Sequence, residues 1–256
     1  MFLNQGGEIV GKSLSDERQE ELVKEMFAEF DKIKKSHPIN HYYIDYGMRL
    51  GFFPVYWEQL NDNHSFRDLK PVWKCYYFLL QSFFNVNEGP FYKRDADFAS
   101  LLNVSLNSNY LSRARKYFSE NGWINIRSGG LSGGGQRRAT EYLNVKWAMP
   151  PSKGEGKRWA KVDRATFYYL LKVLRDKPRY HDIIVVWVSL LAINLSKIGN
   201  GFKGTNSFTV NKRDIATYTN QSQQKIKKAF DCLENEGFIG SWIEPKLNRY
   251  YIEDFV

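Results

Sequence analysis

Two stretches of the sequence concentrate the side chains that recognise and bind nucleic acid. Asparagine and glutamine amides pair with adenine through two hydrogen bonds, arginine pairs with guanine in the same way, and lysine binds phosphate as a point charge. The first stretch offers Ser105, Asn107, Ser108, Asn109, Tyr110, Arg113, Arg115 and Lys116, and the second offers Gln221, Ser222, Gln223, Gln224, Lys225, Lys227 and Lys228. The chemistry that these residue types predict is readout of base edges and backbone in double-stranded DNA.

Basic side chains in these stretches are separated from acidic ones. The chain has a net charge of +9 and a pI near 9.3. No Asp or Glu occurs in 98–119, 122–140 or 215–230. Outside the two polar stretches, the residues that we expect to contact DNA are Arg127, Gln136, Arg137, Arg138, Lys246, Asn248 and Arg249. Such segregation favours a polyanionic partner, because a surface of one sign attracts the phosphate backbone. The alternative, a solvated polar helix face without a partner, stays open.

The two stretches belong to one repeated pattern. Residues 91–124 recur as 208–239, and the offset between the copies changes once, by two residues, inside the turn. Each copy predicts a short helix near an acidic residue, a polar turn and a longer amphipathic helix. Gly122 and Gly237 follow that second helix, where a positive φ is needed. Strand patterns then begin, and each returns as a hairpin.

A helix, a turn, a second helix and a β-hairpin make up the winged-helix plan, and both copies resemble that family. The segments that carry the likeness are "DFASLLNVSLNSNYLSRARKYFSENGWINI" and "DIATYTNQSQQKIKKAFDCLENEGFIGSW". Two tandem copies in one chain resemble replication initiator proteins of plasmids, phages and phage-like mobile elements. The resemblance implies sequence-specific binding to repeated origin sites, with the second helix of each copy in the major groove and the hairpin as a wing.

We therefore predict an α+β fold, mainly helical, with two tandem winged-helix domains preceded by an N-terminal amphipathic helix. The predicted divisions are a tail and helix at 1–40, a first domain at 41–148, a linker at 149–158 and a second domain at 159–256. The linker assignment depends on its Pro and Gly content and its lack of periodicity. The lead-in at Trp159–Asp163 is predicted to match a strand at Tyr42–Tyr46, and 183–198 to match the helix after Pro71.

The N-terminal helix has an apolar stripe at helical spacing, from Leu22 to Ile33. Two interpretations remain open for this stripe: packing on the chain's own first domain, or a homodimer interface. Host replication proteins are further partners that the initiator resemblance implies. The apolar run 183–193 is too short to span a membrane and predicts a buried helix. Cys75 and Cys232 are expected to be reduced thiols, and we expect a cytoplasmic protein.

Signals for an enzyme are weak, so we expect no catalytic residue, cofactor or metal. Gly199, Gly201 and Gly204 match a dinucleotide fingerprint by letters, but helix and strand stand in the wrong order around them. His37 and His41 are separated by Pro38, and no cysteine or carboxylate cluster completes a metal site. Two other functions stay open: a transcriptional regulator with the same domains, or a protein in which one winged helix binds protein.

Overall fold

The computed structural model describes residues 52–61, 63–84, 90–106, 109–127, 139–152, 155, 157–198, 207–209, 211–244 and 247–252. The first half contains β1 (Phe52–Tyr56), α1 (Trp57–Asn61), α2 (His64–Arg67), α3 (Pro71–Phe83), β2 (Phe91–Lys93), α4 (Asp95–Leu101), α5 (Tyr110–Glu120), β3 (Ile124–Arg127) and β4 (Thr140–Val145). The second half contains β5 (Trp159–Asp163), α6 (Arg164–Val173), α7 (Tyr180–Ile198), β6 (Ser207–Thr209), α8 (Lys212–Thr219), α9 (Gln223–Asn235), β7 (Ile239–Glu244) and β8 (Leu247–Ile252).

The chain is therefore an α+β protein with helices and small antiparallel sheets, and its two halves repeat one order of elements. Each half runs from a strand through helices to a short strand, a helix pair and a hairpin. The sheets repeat as well, with strand orders β2-β4-β3 and β6-β8-β7, all neighbours being antiparallel. The internal repeat thus extends beyond the helix pair and hairpin, into the elements that precede them.

Backbone conformation at the helix ends explains why the two helix pairs turn alike. Gly122 and Gly237 have φ of 66° and 75°, as predicted from their positions. The amide after each glycine donates to a carbonyl five residues earlier, and the glycine amide donates to one three residues earlier, which is the Schellman pattern. Asn103 and Asn220, with φ of 44° and 53°, end α4 and α8 in the same way. Asparagine tolerates this left-handed conformation better than most residues.

Two long helices form the centre of the molecule. Pro71 begins α3, where proline suits the first helical turn, and residues 74–83 are all buried. In α7, residues 183–193 are all buried, which confirms the predicted buried helix. The two helices pack against each other. The buried apolar residues of both halves consequently form one contiguous core.

The first described strand pairs with the lead-in strand of the second half. Trp159–Asp163 is a strand, but it pairs antiparallel with Phe52–Tyr56, with Val55 opposite Ala160. The sequence pattern does not predict a strand at 52–56, because Pro54 interrupts it. The predicted strand at 42–46 and the predicted helix and tail at 1–40 lie outside the described residues.

Several contacts join the two halves, one of them at the end of the predicted linker. The backbone amide of Trp57 donates to the carbonyl of Arg158 at 3.0 Å, and Trp57 packs edge-on against Tyr218. The hydroxyl of Tyr168 donates to Ser82 Oγ at 2.9 Å. The division at 149–158 stays a prediction, but 52–148 and 157–252 are joined by a shared sheet and a shared core.

The two cysteines are free thiols, as predicted. Cys75 is buried on α3, and Cys232 is half-buried on α9. Burial raises the pKa of the Cys75 thiol well above its usual value, so this thiol stays protonated at neutral pH. Among the described residues, no helix is long and apolar enough to cross a membrane.

Candidate nucleic-acid interface

Helix α5 presents part of its predicted set to solvent. Leu111, Ala114 and Phe118 are buried at helical spacing, which leaves the opposite face of the helix exposed. Arg113 and Lys116 lie on that face. Lys116 Nζ is 3.7 Å from Glu120 Oε1, but both side chains are more than half exposed, so this ion pair holds the lysine weakly.

Asn109 stands at the beginning of α5 with an exposed side chain. Its φ is 51°, and the side chain makes no capping hydrogen bond. The carbonyl of Asn109 instead accepts from Ser112 Oγ at 2.9 Å and from the amide of Arg113 at 3.0 Å. The backbone of Asn109 is thus fixed, while its side-chain amide lies outside the helix. In helix-turn-helix proteins the corresponding end of the second helix is the one that faces the bases. Ser105 is exposed in the preceding turn.

Arg115 is placed differently from the sequence prediction. It is half-buried, and its guanidinium forms a bidentate ion pair with Asp95 at the beginning of α4, with Nη2 at 3.2 Å from Oδ2. Such forked pairs are geometrically specific and stronger than single bonds. Arg115 therefore clamps α4 to α5, and we leave it out of the candidate interface.

Tyr110 is also used in packing. Its ring is half-buried and meets Trp73 edge-on with 5.9 Å between centroids, and Lys70 Nζ lies 5.8 Å from the ring centre. Burial raises the pKa of its hydroxyl. The ring fixes the beginning of α5 against α3, so Tyr110 is a packing residue in this structure.

In the second half, α9 exposes most of its predicted set. Ser222 accepts from the amide of Lys225 at 3.4 Å and so caps the helix. The exposed residues are Ser222, Gln223, Gln224, Lys227 and Lys228. Lys225 is half-buried, with Nζ 3.5 Å from Asp182 Oδ1. The exposed face of α9 combines amides at its beginning with two adjacent lysines one turn later.

Gln221 does not belong to this exposed face. It is 7% exposed, and its Nε2 donates to the carbonyl of Asp182 at 3.3 Å. The sequence prediction counted it with the polar turn, but the turn packs on α7 at that residue. We therefore remove Gln221 from the base-reading candidates.

The first hairpin carries Arg127 at the last position of β3. Its side chain is 73% exposed, with Nη1 at 3.3 Å from Glu141 Oε2. The predicted residues Asn107, Ser108, Gln136, Arg137, Arg138 and Lys246 lie outside the described residues, as do the glycine-rich segment 128–135 and the glycines at 199, 201 and 204. Asn248 and Arg249 lie on β8, opposite Ile243 and Trp242, and only their backbone is described.

The two turns meet at the beginning of α7. His181 Nε2 bonds the carbonyl of Leu102 in the first turn at 3.0 Å, while the next residue, Asp182, contacts Gln221 and Lys225 of the second motif. Asn103 and Arg175 also bond each other, at 3.4 and 3.5 Å. The exposed starts of α5 and α9 are thus held in a fixed relation through residues 175–182.

A second buried contact fixes the same relation. Lys74 on α3 has no exposed surface, and its Nζ donates to the carbonyl of Thr219 at 2.9 Å, at the C-terminal end of α8. Burial lowers the pKa of Lys74 to about 8. The sequence prediction missed Lys74, Asp95 and Asp182, because one lysine in an apolar helix, or an aspartate at a helix start, is a common pattern on solvated surfaces as well.

The bond between His181 and the first turn makes acid stability a test of this arrangement. Burial lowers the pKa of His181 to about 4, whereas an unfolded histidine titrates near 6.5. The unfolded chain therefore binds a proton first, and this contribution to stability is complete above about pH 6.5 and lost as the pH falls toward 4. We expect the free energy of unfolding to decrease over that window by more in the wild type than in His181→Gln.

Denaturant unfolding at pH 7 and at pH 4.5 measures this difference, since a glutamine amide can still donate to Leu102 without titrating. The decisive quantity is the decrease in the free energy of unfolding between pH 7 and pH 4.5 in the wild type minus the same decrease in His181→Gln. Equal losses in the two proteins would mean that His181 is not neutral and buried in the folded state.

Comparisons with family models, with curated proteins and with solved structures found no match for this chain. The described residues also contain no group of three or more His, Cys, Asp or Glu side chains placed to hold a metal ion.

Proposed function

We propose that this protein binds double-stranded DNA in a sequence-specific manner through two winged-helix domains, and that it is a replication initiator of a mobile element. The single observation that carries the proposal is the repeated unit: a short strand, a helix pair whose second helix has an exposed basic face, and a hairpin that forms a three-stranded sheet with the short strand occur twice in one chain. The beginnings of α5 and α9 supply the base-reading groups.

The electrostatics of the exposed faces support a polyanionic ligand. Arg113 and Lys116 on α5, and Lys227 and Lys228 on α9, are exposed. Asp95 and Asp182 are directed inward, to Arg115 and Lys225. Glu120 and Asp231 are exposed near the cations, but the pair of Glu120 with Lys116 is a weak surface pair, so cations on both faces can bind a ligand.

An initiator role is supported by the fixed relation between the two motifs. A chain that holds two readers through one core can recognise a composite site as a monomer, which suits short repeated sites better than a palindrome that needs two chains. Footprinting on the DNA that flanks the gene tests this role. Protection of several short direct repeats is the expected result, whereas a single protected palindrome within a promoter would make the protein a transcriptional regulator.

Base reading and backbone binding are separable by substitution. Arg113→Ala, and Asn109→Gly, which suits the left-handed backbone better than alanine, should each cost about 1–3 kcal/mol on the preferred site and little on random DNA. Arg137→Ala with Arg138→Ala should weaken binding to both DNAs alike, because phosphate contacts do not depend on sequence.

Competition between a labelled preferred duplex and a random duplex gives both affinities for every variant. Arg115→Lys serves as the structural control, since it should lower thermal stability by loosening its fork with Asp95. If Arg113 and Asn109 variants lose equally on both DNAs while remaining folded, α5 is not the base-reading helix.

A further inference from the structure

Three side chains form a row across the first sheet, near the base of its hairpin. Tyr92 on β2 and Arg127 on β3 both stand opposite Glu141 on the central strand β4. The Tyr92 hydroxyl donates to Glu141 Oε1 at 2.5 Å, and Arg127 Nη1 forms an ion pair with Glu141 Oε2 at 3.3 Å. One carboxylate thus holds a hydroxyl on one oxygen and a guanidinium on the other.

The exposure of the three side chains is uneven. Tyr92 is 61% exposed and Arg127 is 73% exposed, whereas Glu141 is 13% exposed. Tyr92 is therefore a large aromatic residue that covers little apolar core and presents its hydroxyl at the surface. Arg127 is the last residue of β3, directly before the basic segment 128–138. The row is a pair of surface donors arranged around an anionic group.

We propose that this row is a phosphate-binding site of the DNA interface that Glu141 occupies in the free protein. A DNA phosphate offers two anionic oxygens to an arginine and a hydroxyl, as the carboxylate does here. When a phosphate arrives, Arg127 and Tyr92 exchange their bonds from Glu141 to the phosphate. The Glu141 carboxylate repels the incoming phosphate, because both are anionic. It therefore weakens binding to random DNA, which makes no sequence-specific contacts to offset this repulsion.

The inference rests on the proposed function and adds two residues to it. Glu141 becomes a residue that limits binding to random DNA, and Tyr92 becomes a phosphate donor. The Tyr92 hydroxyl is a donor at neutral pH with or without Glu141, because a phenol titrates near 10 and the hydrogen bond to Glu141 only raises that pKa.

Glu141→Gln tests the proposal in the full chain, with a random-sequence 30-base-pair duplex as the probe. The variant should bind this duplex about fivefold more tightly, as expected for removal of one repulsive surface interaction. Its plot of log affinity against log salt should become steeper by about 0.9, because Arg127 then neutralises one more phosphate. Thermal melting checks that the fold is retained.

The matched control is Glu155→Gln. Glu155 also forms an exposed ion pair, with Oε2 at 3.1 Å from Lys157 Nζ, and the substitution changes the net charge equally. The Glu141→Gln protein should bind the duplex more tightly than the Glu155→Gln protein and should show a steeper salt dependence. Both differences should disappear when Arg127→Ala is added to Glu141→Gln. Adding Tyr92→Phe should remove part of it.

Two results would overturn the inference while leaving DNA binding intact. The first is a folded Glu141→Gln protein that matches Glu155→Gln, and the second is an excess that persists with Arg127→Ala. If instead the wild type binds the duplex without salt dependence, the proposed function fails together with this site, and that outcome is visible before any variant is made.

Discussion

Raising the salt concentration from about 50 to about 200 mM is expected to weaken DNA binding by roughly a thousandfold. If each exposed face and the first hairpin together neutralise about six phosphates, log affinity falls against log salt with a slope near −5. We expect the exposed lysines Lys116, Lys227 and Lys228 to supply much of this effect, because counterions condensed on the DNA are released when these lysines contact phosphates. Fluorescence anisotropy over a salt series measures the slope.

Substitution of the exposed lysines tests whether they cause the salt dependence. Removing Lys227 and Lys228 together should reduce its magnitude by about two, since each lysine that contacts a phosphate contributes about 0.9. Asp176→Asn, a change of one charge in an exposed loop, should leave the number of phosphate contacts unchanged. A flat affinity over the whole salt range would exclude the DNA backbone as the ligand.

Inserting five base pairs between the two half-sites is expected to reduce affinity by on the order of a hundredfold, close to that of a single half-site. Half a helical turn moves the second half-site to the opposite face of the duplex. A flexible linker of the kind that the sequence predicts at 149–158 would tolerate part of this change. The β1 and β5 pairing and the contacts at residues 175–182 leave no such freedom, so the gain from the second motif is lost.

A ten-base-pair insertion separates the two interpretations of the connection. It restores the facing of the half-sites but moves them about 34 Å further apart along the axis. We expect affinity to remain low, because the shared core holds α5 and α9 at one separation. Recovery of affinity with ten base pairs but not with five would show that the halves move apart, contrary to the packing described above. Mobility-shift titrations of the three duplexes suffice.

The repeated motif was predictable because its signals are local. Gly122 and Gly237 each follow an amphipathic helix closely, and glycine adopts the positive φ needed there without steric strain. The burial of 183–193 follows from its continuous apolar content. Both confirmed predictions depend on residues that lie within a few turns of one another.

The errors concern contacts between residues far apart in the sequence. Arg115 was assigned to DNA because it lies among other cations, yet Asp95 stands twenty residues earlier and faces it across the helix pair. Gln221 was assigned with a polar turn, but its burial depends on α7, which packs against that turn. Composition cannot reveal whether a polar residue in a turn faces water or another helix.

The pairing of β1 with β5 also has a consequence for synthesis at the ribosome. Val55 acquires its partner Ala160 only after about a hundred further residues have been made. Until then a newly made first half presents an unpaired strand edge and the bare side of α3, two features that favour association between nascent chains. The edge of β1 is covered only when residues 159–163 leave the ribosome. A chain that ends within residues 149–158 is therefore expected to aggregate instead of forming a smaller DNA-binding protein.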